Sequence, residues 1–245
     1  NPGGAGCHFG ICQAREIQHR RTGMTEQEAA LWLESELGVS RETMDALKTF
    51  VAFLKREASS QNLISASTLD HIWSRHIVDS AQLLQFLDHA PADTRWLDLG
   101  SGAGFPGLII ALLTDYNVTL VESRARRIDY LQRAVEMLDL THRVHVAGVA
   151  LERLETAPYS VISARAFAPL PKLFDLAERF ATNKTLWLLP KGRNADHEWQ
   201  DAQGVWDGNF QVMKSITDQD AGILVGTLSG HRQTKAGAEK QGQRP

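Results

Sequence analysis

The chain has 245 residues, 43% of them hydrophobic, with 26 Lys and Arg against 29 Asp and Glu. That is enough apolar material for one α/β domain with a sizeable core, alone or with a small helical appendage. No run of 18 apolar residues occurs, which excludes a membrane-spanning helix. The only cysteines, Cys7 and Cys12, lie together near the start, which excludes a disulfide framework and leads us to expect a reducing, cytoplasmic setting.

Residues 1–23 are Gly-rich, lack any apolar period and precede Met24, so they read as a disordered extension or tag. Cys7, His8 and Cys12 in that lead are incidental on this reading, and no metal is expected. Thr25 to Leu37 reads as a short helix stopped by Gly38. Ser40 can cap a second helix, whose Met44, Leu47, Phe50, Val51 and Leu54 form one stripe. After a polar break at Ser59–Asn62, Ser67-x-x-Asp70 resembles a capping box opening a third helix, with Ile72, Ile77, Leu83, Leu84 and Leu87, ended by Pro91. Residues 24–92 therefore form an N-terminal helical subdomain.

From Arg95 the period changes, and residues 93–228 alternate strands with helices. Trp96–Leu99 is a buried strand, Gly100–Gly104 a turn, and Gly107–Leu113 a helix with Pro106 in its first turn. Val118–Glu122 is a second strand, followed by a helix over Arg126–Leu138. Further strands are expected at Val144–Val146, Ser160–Ala164 and Thr185–Leu189, with a helix around Leu170–Phe180 between the last two. Two last strands, Phe210–Ile216 and Gly222–Leu228, close the pattern. The expected fold is α/β: a Rossmann-like, mostly parallel, doubly wound sheet with an antiparallel edge. Residues 229–245 are polar and read as a disordered tail.

The charge is unevenly spread. Three arginines face one glutamate in residues 1–23 and four bases face one glutamate in 229–245, so with −3 overall the segment between carries about −8. Such a body does not advertise nucleic-acid binding; an RNA partner has to meet a local patch or the chain ends.

In a doubly wound sheet the ligand sits beyond the carboxyl ends of the strands, beside strand 1. Gly100-Ser101-Gly102-Ala103-Gly104 falls there, and its glycines permit positive φ and close backbone approach. Glu122 ends the next strand, where a carboxylate can accept both ribose hydroxyls of an adenosyl group. Gly102-Ala103-Gly104-Phe105-Pro106-Gly107 is also a G-x-G-x-x-G, so a nicotinamide dinucleotide is the rival ligand. Pro106 removes an amide that a pyrophosphate would need. Asp98, expected at the mouth of the site, would repel a pyrophosphate and welcome a methionine ammonium or sulfonium. The favoured ligand is S-adenosyl-L-methionine, making the chain a class I methyltransferase.

Asn62-Leu-Ile-Ser65, Arg75-His-Ile-Val-Asp-Ser80, Asp98-Leu-Gly-Ser-Gly-Ala-Gly-Phe-Pro-Gly107, Ser163-Ala-Arg-Ala-Phe167 and Leu189-Pro-Lys-Gly192 together resemble the glucose-inhibited division protein B family. Its members are bacterial methyltransferases that make 7-methylguanosine in 16S ribosomal RNA. The resemblance runs from about Met24 to Leu228. It implies that Gly100 and Phe105 line the cofactor pocket, that Ala150, Leu151 and Glu152 border the adenine, and that Arg165 reaches the site from the fourth strand's end. Glu122 stands where Asp is expected about as readily.

On this reading Asp98, Gly100, Gly102, Gly104, Phe105, Glu122, Ala150, Leu151, Glu152 and Arg165 hold the cofactor, and Arg165 and Lys191 are the catalytic candidates that hold RNA. His76 and Asp79, three residues apart on one helix, are expected to dock the N-terminal helices by a hydrogen bond. Arg124, Arg126, Arg127 and Arg133 form a basic helix face, either solvated or facing RNA phosphates. The expected partner is 16S ribosomal RNA or the small ribosomal subunit, with a cytoplasmic monomer and no membrane. A small-molecule methyltransferase, an NAD(P)-dependent oxidoreductase and a non-catalytic binding module are the alternatives.

Overall fold

The computed structural model describes residues 24–87 and 90–232. The expectations for residues 1–23 and 233–245 lie outside it. Two N-terminal helices, α1 (Glu26–Leu37) and α2 (Arg41–Ala58), precede the sheet. Thr25 caps α1 in a reciprocal box: its hydroxyl accepts from the Glu28 amide at 3.2 Å, and its own amide donates to the Glu28 carboxylate at 2.7 Å. Gly38 ends the helix at φ 62.

Strands β1 (Arg95–Leu99), β2 (Asn117–Val121), β3 (Val144–Ala147), β4 (Val161–Ala164), β5 (Leu186–Lys191), β6 (Trp206–Lys214) and β7 (Gly222–His231) form one sheet in the order β3-β2-β1-β4-β5-β7-β6. The first five pair in parallel; β7 runs antiparallel to β5, and β6 to β7. Between them lie α3 (Gly107–Leu113), α4 (Ala125–Met137), α5 (Leu170–Ala177) and α6 (Ala195–Ala202). The order reverses between β1 and β4, so the crevice expected in such sheets opens there.

Strand periodicity splits the core into two layers. On one face Trp96, Val118, Leu120 and Leu188 pack with α1, α2, α3 and α4 through Leu33, Leu47, Phe50, Leu108 and Tyr130. On the other, Leu97, Leu99, Trp187 and Leu189 pack with Phe174, Trp199 and Trp206. Residues 24–87 thus share one apolar cluster with the sheet. Fully buried side chains such as Leu33 and Leu47 each contribute about 1.5–3 kcal/mol to that contact.

Several features depart from the sequence reading. The helix expected from Ser67 is broken into a 3-10 turn (Ala66–His71), a π turn (Trp73–Val78), an α turn (Asp79–Ala81) and a second 3-10 turn (Gln82–Phe86). The Ser67–Asp70 box does not form; Ser65 is the N-cap, without a side-chain cap bond. In this segment Ile72, Trp73, Ser74, His76, Ile77 and Val78 are all buried, more than the single stripe of a regular helix can turn inward, and the wide π turn accommodates them. Helix α6 was not anticipated. Residues 229–231 belong to β7, not to a tail, because Gly230 and His231 pair with Asp207 and Trp206. β6 also starts at Trp206, before the expected Phe210, with a bulge at Asp207/Gly208.

Candidate active site: two cavities and a shared wall

Asp98 is the first correction. In β1 it has the same parity as Trp96, so its side chain points under α3 instead of toward the crevice mouth. It is 0% exposed, accepts from the Ser163 hydroxyl at 2.8 Å and from the Gly107 amide at 3.2 Å. Ser163 in turn accepts from the Trp96 indole at 2.8 Å. Burial raises the Asp98 pKa, and the hydrogen bonds from Ser163, Ser101 and Gly107 oppose that rise. A carboxylate therefore already faces the start of α3, where a dinucleotide fold would seat its pyrophosphate. The turn between is tight: a Cβ on Gly107 would fall 2.9 Å from Asp98 Oδ2.

Gly100 (φ 68), Gly102 (φ 56) and Gly104 (φ 94) all occupy the left-handed region that favours glycine. At Gly100 a Cβ would also meet the Phe167 ring at 2.7 Å. Glu122, 6% exposed, follows β2 directly. Its carboxylate accepts from the amides of Gly102 (3.1 Å), Ser123 (2.8 Å) and Arg124 (2.9 Å), which fix its orientation. Arg127 stands 3.8 Å away.

A cavity of about 390 Å³ gathers Gly100, Glu122, Ala150, Leu151 and Glu152, together with Val149, Phe167 and Leu176. A carboxylate beside an apolar slot and a glycine turn suits an adenosine: ribose hydroxyls at Glu122, the base among Val149, Leu151 and Leu176. Gly102 and Gly104 shape the turn without lining the cavity. Phe105 does not line it either, against expectation. Its ring is buried between the His76 ring (4.8 Å between centroids) and the Arg165 guanidinium (5.1 Å), with Phe50 edge-on at 5.7 Å.

Arg165 and Lys191 meet in a second, larger cavity of about 880 Å³, which also takes in Arg75, Asp79, Glu198 and Asp218. Ala166, Phe167 and Ala168 line both cavities and form the wall between them. Arg165 approaches Asp79 at 3.5 Å; burial lowers its pKa, and Asp79 and Asp98 oppose that. Burial raises the Asp79 pKa, opposed first by Arg165. Lys191, at the end of β5, meets Glu198 of α6 at 2.7 Å. Arg75, in the π turn, pairs with Asp218 at 2.8 Å.

His76 and Asp79 do not bond each other. His76 Nε2 pairs with Thr68 at 3.0 Å, whereas Asp79 accepts from Thr217 (2.8 Å) and Gln82 (2.9 Å), tying the π-turn segment to the loop after β6. On the basic face Arg133 is held by Glu57 and Asp129, and Arg127 by the Asn62 carbonyl. Arg75, Phe167 and Glu198 were missed by sequence reasoning. Phe167 lay inside a quoted motif, and Glu198 would have followed from the Ala195, Trp199, Ala202 spacing of α6.

Burial, reinforced by Arg165 and Arg75, lowers the His76 pKa from 6.5 to about 3. The unfolded chain therefore takes up a proton that the folded one does not, and this contribution to stability is present above pH 6.5 and lost as pH falls toward 3. Asp79 and Asp98, with raised values, act in the opposite sense. Between pH 7 and pH 5 the wild type should lose about 2 kcal/mol more than His76→Gln in urea unfolding. Parallel pH dependences would sink that assignment.

The architecture is that of the Rossmann-like methyltransferases. The O-methyltransferase of Bacillus cereus, solved with S-adenosylhomocysteine, superposes with a TM-score of 0.53 at 14% identity, over 83% of this chain and 98% of that one. The sequence is 53% identical over 203 residues to the ribosomal RNA small subunit methyltransferase G of Rhizorhabdus wittichii, covering 82% of this chain and 92% of the relative. It is 46% identical over 220 residues to the same-named protein of Zymomonas mobilis, covering 87% and 99%. The rRNA small subunit methyltransferase G family model matches residues 43–221, and the chain belongs to that family. It is an S-adenosylmethionine-dependent methyltransferase. The nicotinamide and small-molecule alternatives find no support. No helix among the described residues is long and apolar enough to cross a membrane.

Proposed function

We propose that this chain methylates N7 of a guanine in 16S ribosomal RNA, acting on the small ribosomal subunit as a cytoplasmic monomer. The observation that carries the proposal is the pair of adjoining cavities that share residues 166–168: one suits an adenosine, the other brings Arg75, Arg165 and Lys191 together with the carboxylates of Asp79, Glu198, Asp201 and Asp218. Gly100, Glu122, Ala150, Leu151 and Glu152 bind the adenosyl part. Gly102 and Gly104 let the turn approach it. Asp98 and Phe105 act from beneath as positioning residues, Asp98 through the Gly107 amide and Phe105 through Arg165.

Bound S-adenosylmethionine supplies an electrophilic methyl group. Guanine N7 carries a lone pair and no proton, so the chain needs no general base; it has to aim the base and exclude water. Positioning of this kind can lower a barrier by about 7–11 kcal/mol. Arg165 and Lys191 hold the nucleotide in the adjoining cavity, and Arg124 and Arg126, exposed beside the adenosyl cavity, face the RNA backbone. The target base has to be unstacked, since an A-form major groove hides N7. Incubation with labelled S-adenosylmethionine and undermodified small subunits should place label in 7-methylguanosine of 16S RNA. Label found only at another base position, or in no RNA, would overturn the proposal.

A further inference from the structure

The larger cavity contains an ion pair whose hydrogen-bonding capacity is not used up. Lys191 is 11% exposed at its side chain, and its ammonium has three donors but meets one carboxylate oxygen, Glu198 Oε2, at 2.7 Å. The other Glu198 oxygen has no hydrogen-bond partner among the described residues. Of the other charges around the cavity, Arg75 is committed to Asp218, and Asp79 to Thr217, Gln82 and Arg165, whereas Asp201 shows no side-chain pairing among the described residues. The ammonium is largely buried while the Glu198 side chain is 35% exposed, so the spare donors and the second carboxylate oxygen are available to whatever fills the cavity.

Both partners are fixed by one residue. Lys191 is registered against Gly222 of β7, and a Cβ on Gly222 would lie 2.9 Å from Ala195 Cβ, so α6 rests directly on that glycine. Ala195, Trp199 and Ala202 bury the inner stripe of α6, while Glu198 and Asp201 line the cavity. The result is a donor and an acceptor held side by side on the acceptor side of the wall.

We propose that Lys191 and Glu198 together read the Watson–Crick edge of the target guanine, Lys191 donating to O6 and Glu198 accepting from N1–H and the N2 amino group. O6 and N1–H are adjacent on guanine, as the ammonium and carboxylate are here. Adenine presents the reverse pattern, a donor at position 6 and an acceptor at N1, so both contacts become repulsive or unpaired. N7 is left without a donor against it, so its lone pair stays free. The inference rests on the guanine-N7 reading and assigns the specificity of that site.

The test is a cycle between Glu198→Gln and a guanine-to-inosine change at the methylated position of the small-subunit RNA, since inosine lacks the N2 amino group. The wild type should lose about tenfold in kcat/KM on inosine, and Glu198→Gln about ten- to hundredfold on guanine. With one of the two acceptor oxygens replaced by a donor, the variant should discriminate guanine from inosine less than the wild type does, with S-adenosylhomocysteine affinity within about threefold of wild type. Unchanged guanine kcat/KM in the variant, penalties that simply multiply, or lost S-adenosylhomocysteine binding would each overturn this proposal alone. A wild type that methylates no guanine would overturn the functional reading with it.

Discussion

Replacing Glu122 with alanine is expected to weaken S-adenosylhomocysteine binding about hundredfold in calorimetry, equivalent to about 3 kcal/mol, since hydrogen bonds to a charged group are worth roughly 1.5–3 kcal/mol each. The carboxylate accepts from three backbone amides and borders the adenosyl cavity, so its removal takes away both the ribose acceptor and the clamp on Gly102. Glu122→Gln keeps the size and one acceptor oxygen, and should lose only about tenfold. The apo protein should also unfold more readily, because the amides of Gly102, Ser123 and Arg124 lose their buried partner. Equal affinity in wild type and Glu122→Ala would remove Glu122 from the site.

The second large effect is expected at Arg165, with a different signature. Arg165→Ala should lower turnover on small subunits about hundredfold while leaving S-adenosylhomocysteine affinity within about threefold, because Arg165 lines the larger cavity and not the adenosyl one. Arg165→Lys keeps a charge near Asp79 but loses the planar group over Phe105, and should fall between the two. Since Arg165 opposes the rise in the Asp79 pKa, its removal also favours protonation of that carboxyl. If single-turnover rates for Arg165→Ala matched the wild type, its role would be confined to holding Asp79 and Phe105.

Much of this was legible in the residues. The change of period at Arg95, the glycine turn and the carboxylate at Glu122 fixed the parallel sheet and the place of the crevice, and both were found where expected. The errors have physical causes. Asp98 was located by its neighbours in sequence, but strand parity decides which side of the sheet a side chain faces, and parity sends it beneath α3. Phe105 was carried to the cofactor by resemblance, whereas its ring satisfies the apolar demand of the π-turn segment. That segment was itself misread as one helix, because a periodic stripe does not reveal that nearly every side chain between Ile72 and Val78 turns inward. Helix α6 carries just three apolar anchors, too few to stand out beside the charged residues around them.

Ala166 holds a positive φ of 51, unusual for a residue with a Cβ and costing about 1 kcal/mol, and it hands on to Phe167, which presses against Gly100. The two cavities thus lean on the same three residues. Any change at this point of the chain that reshapes one chamber is therefore felt in the other, so substitutions at residues 166–168 are expected to alter both affinities together.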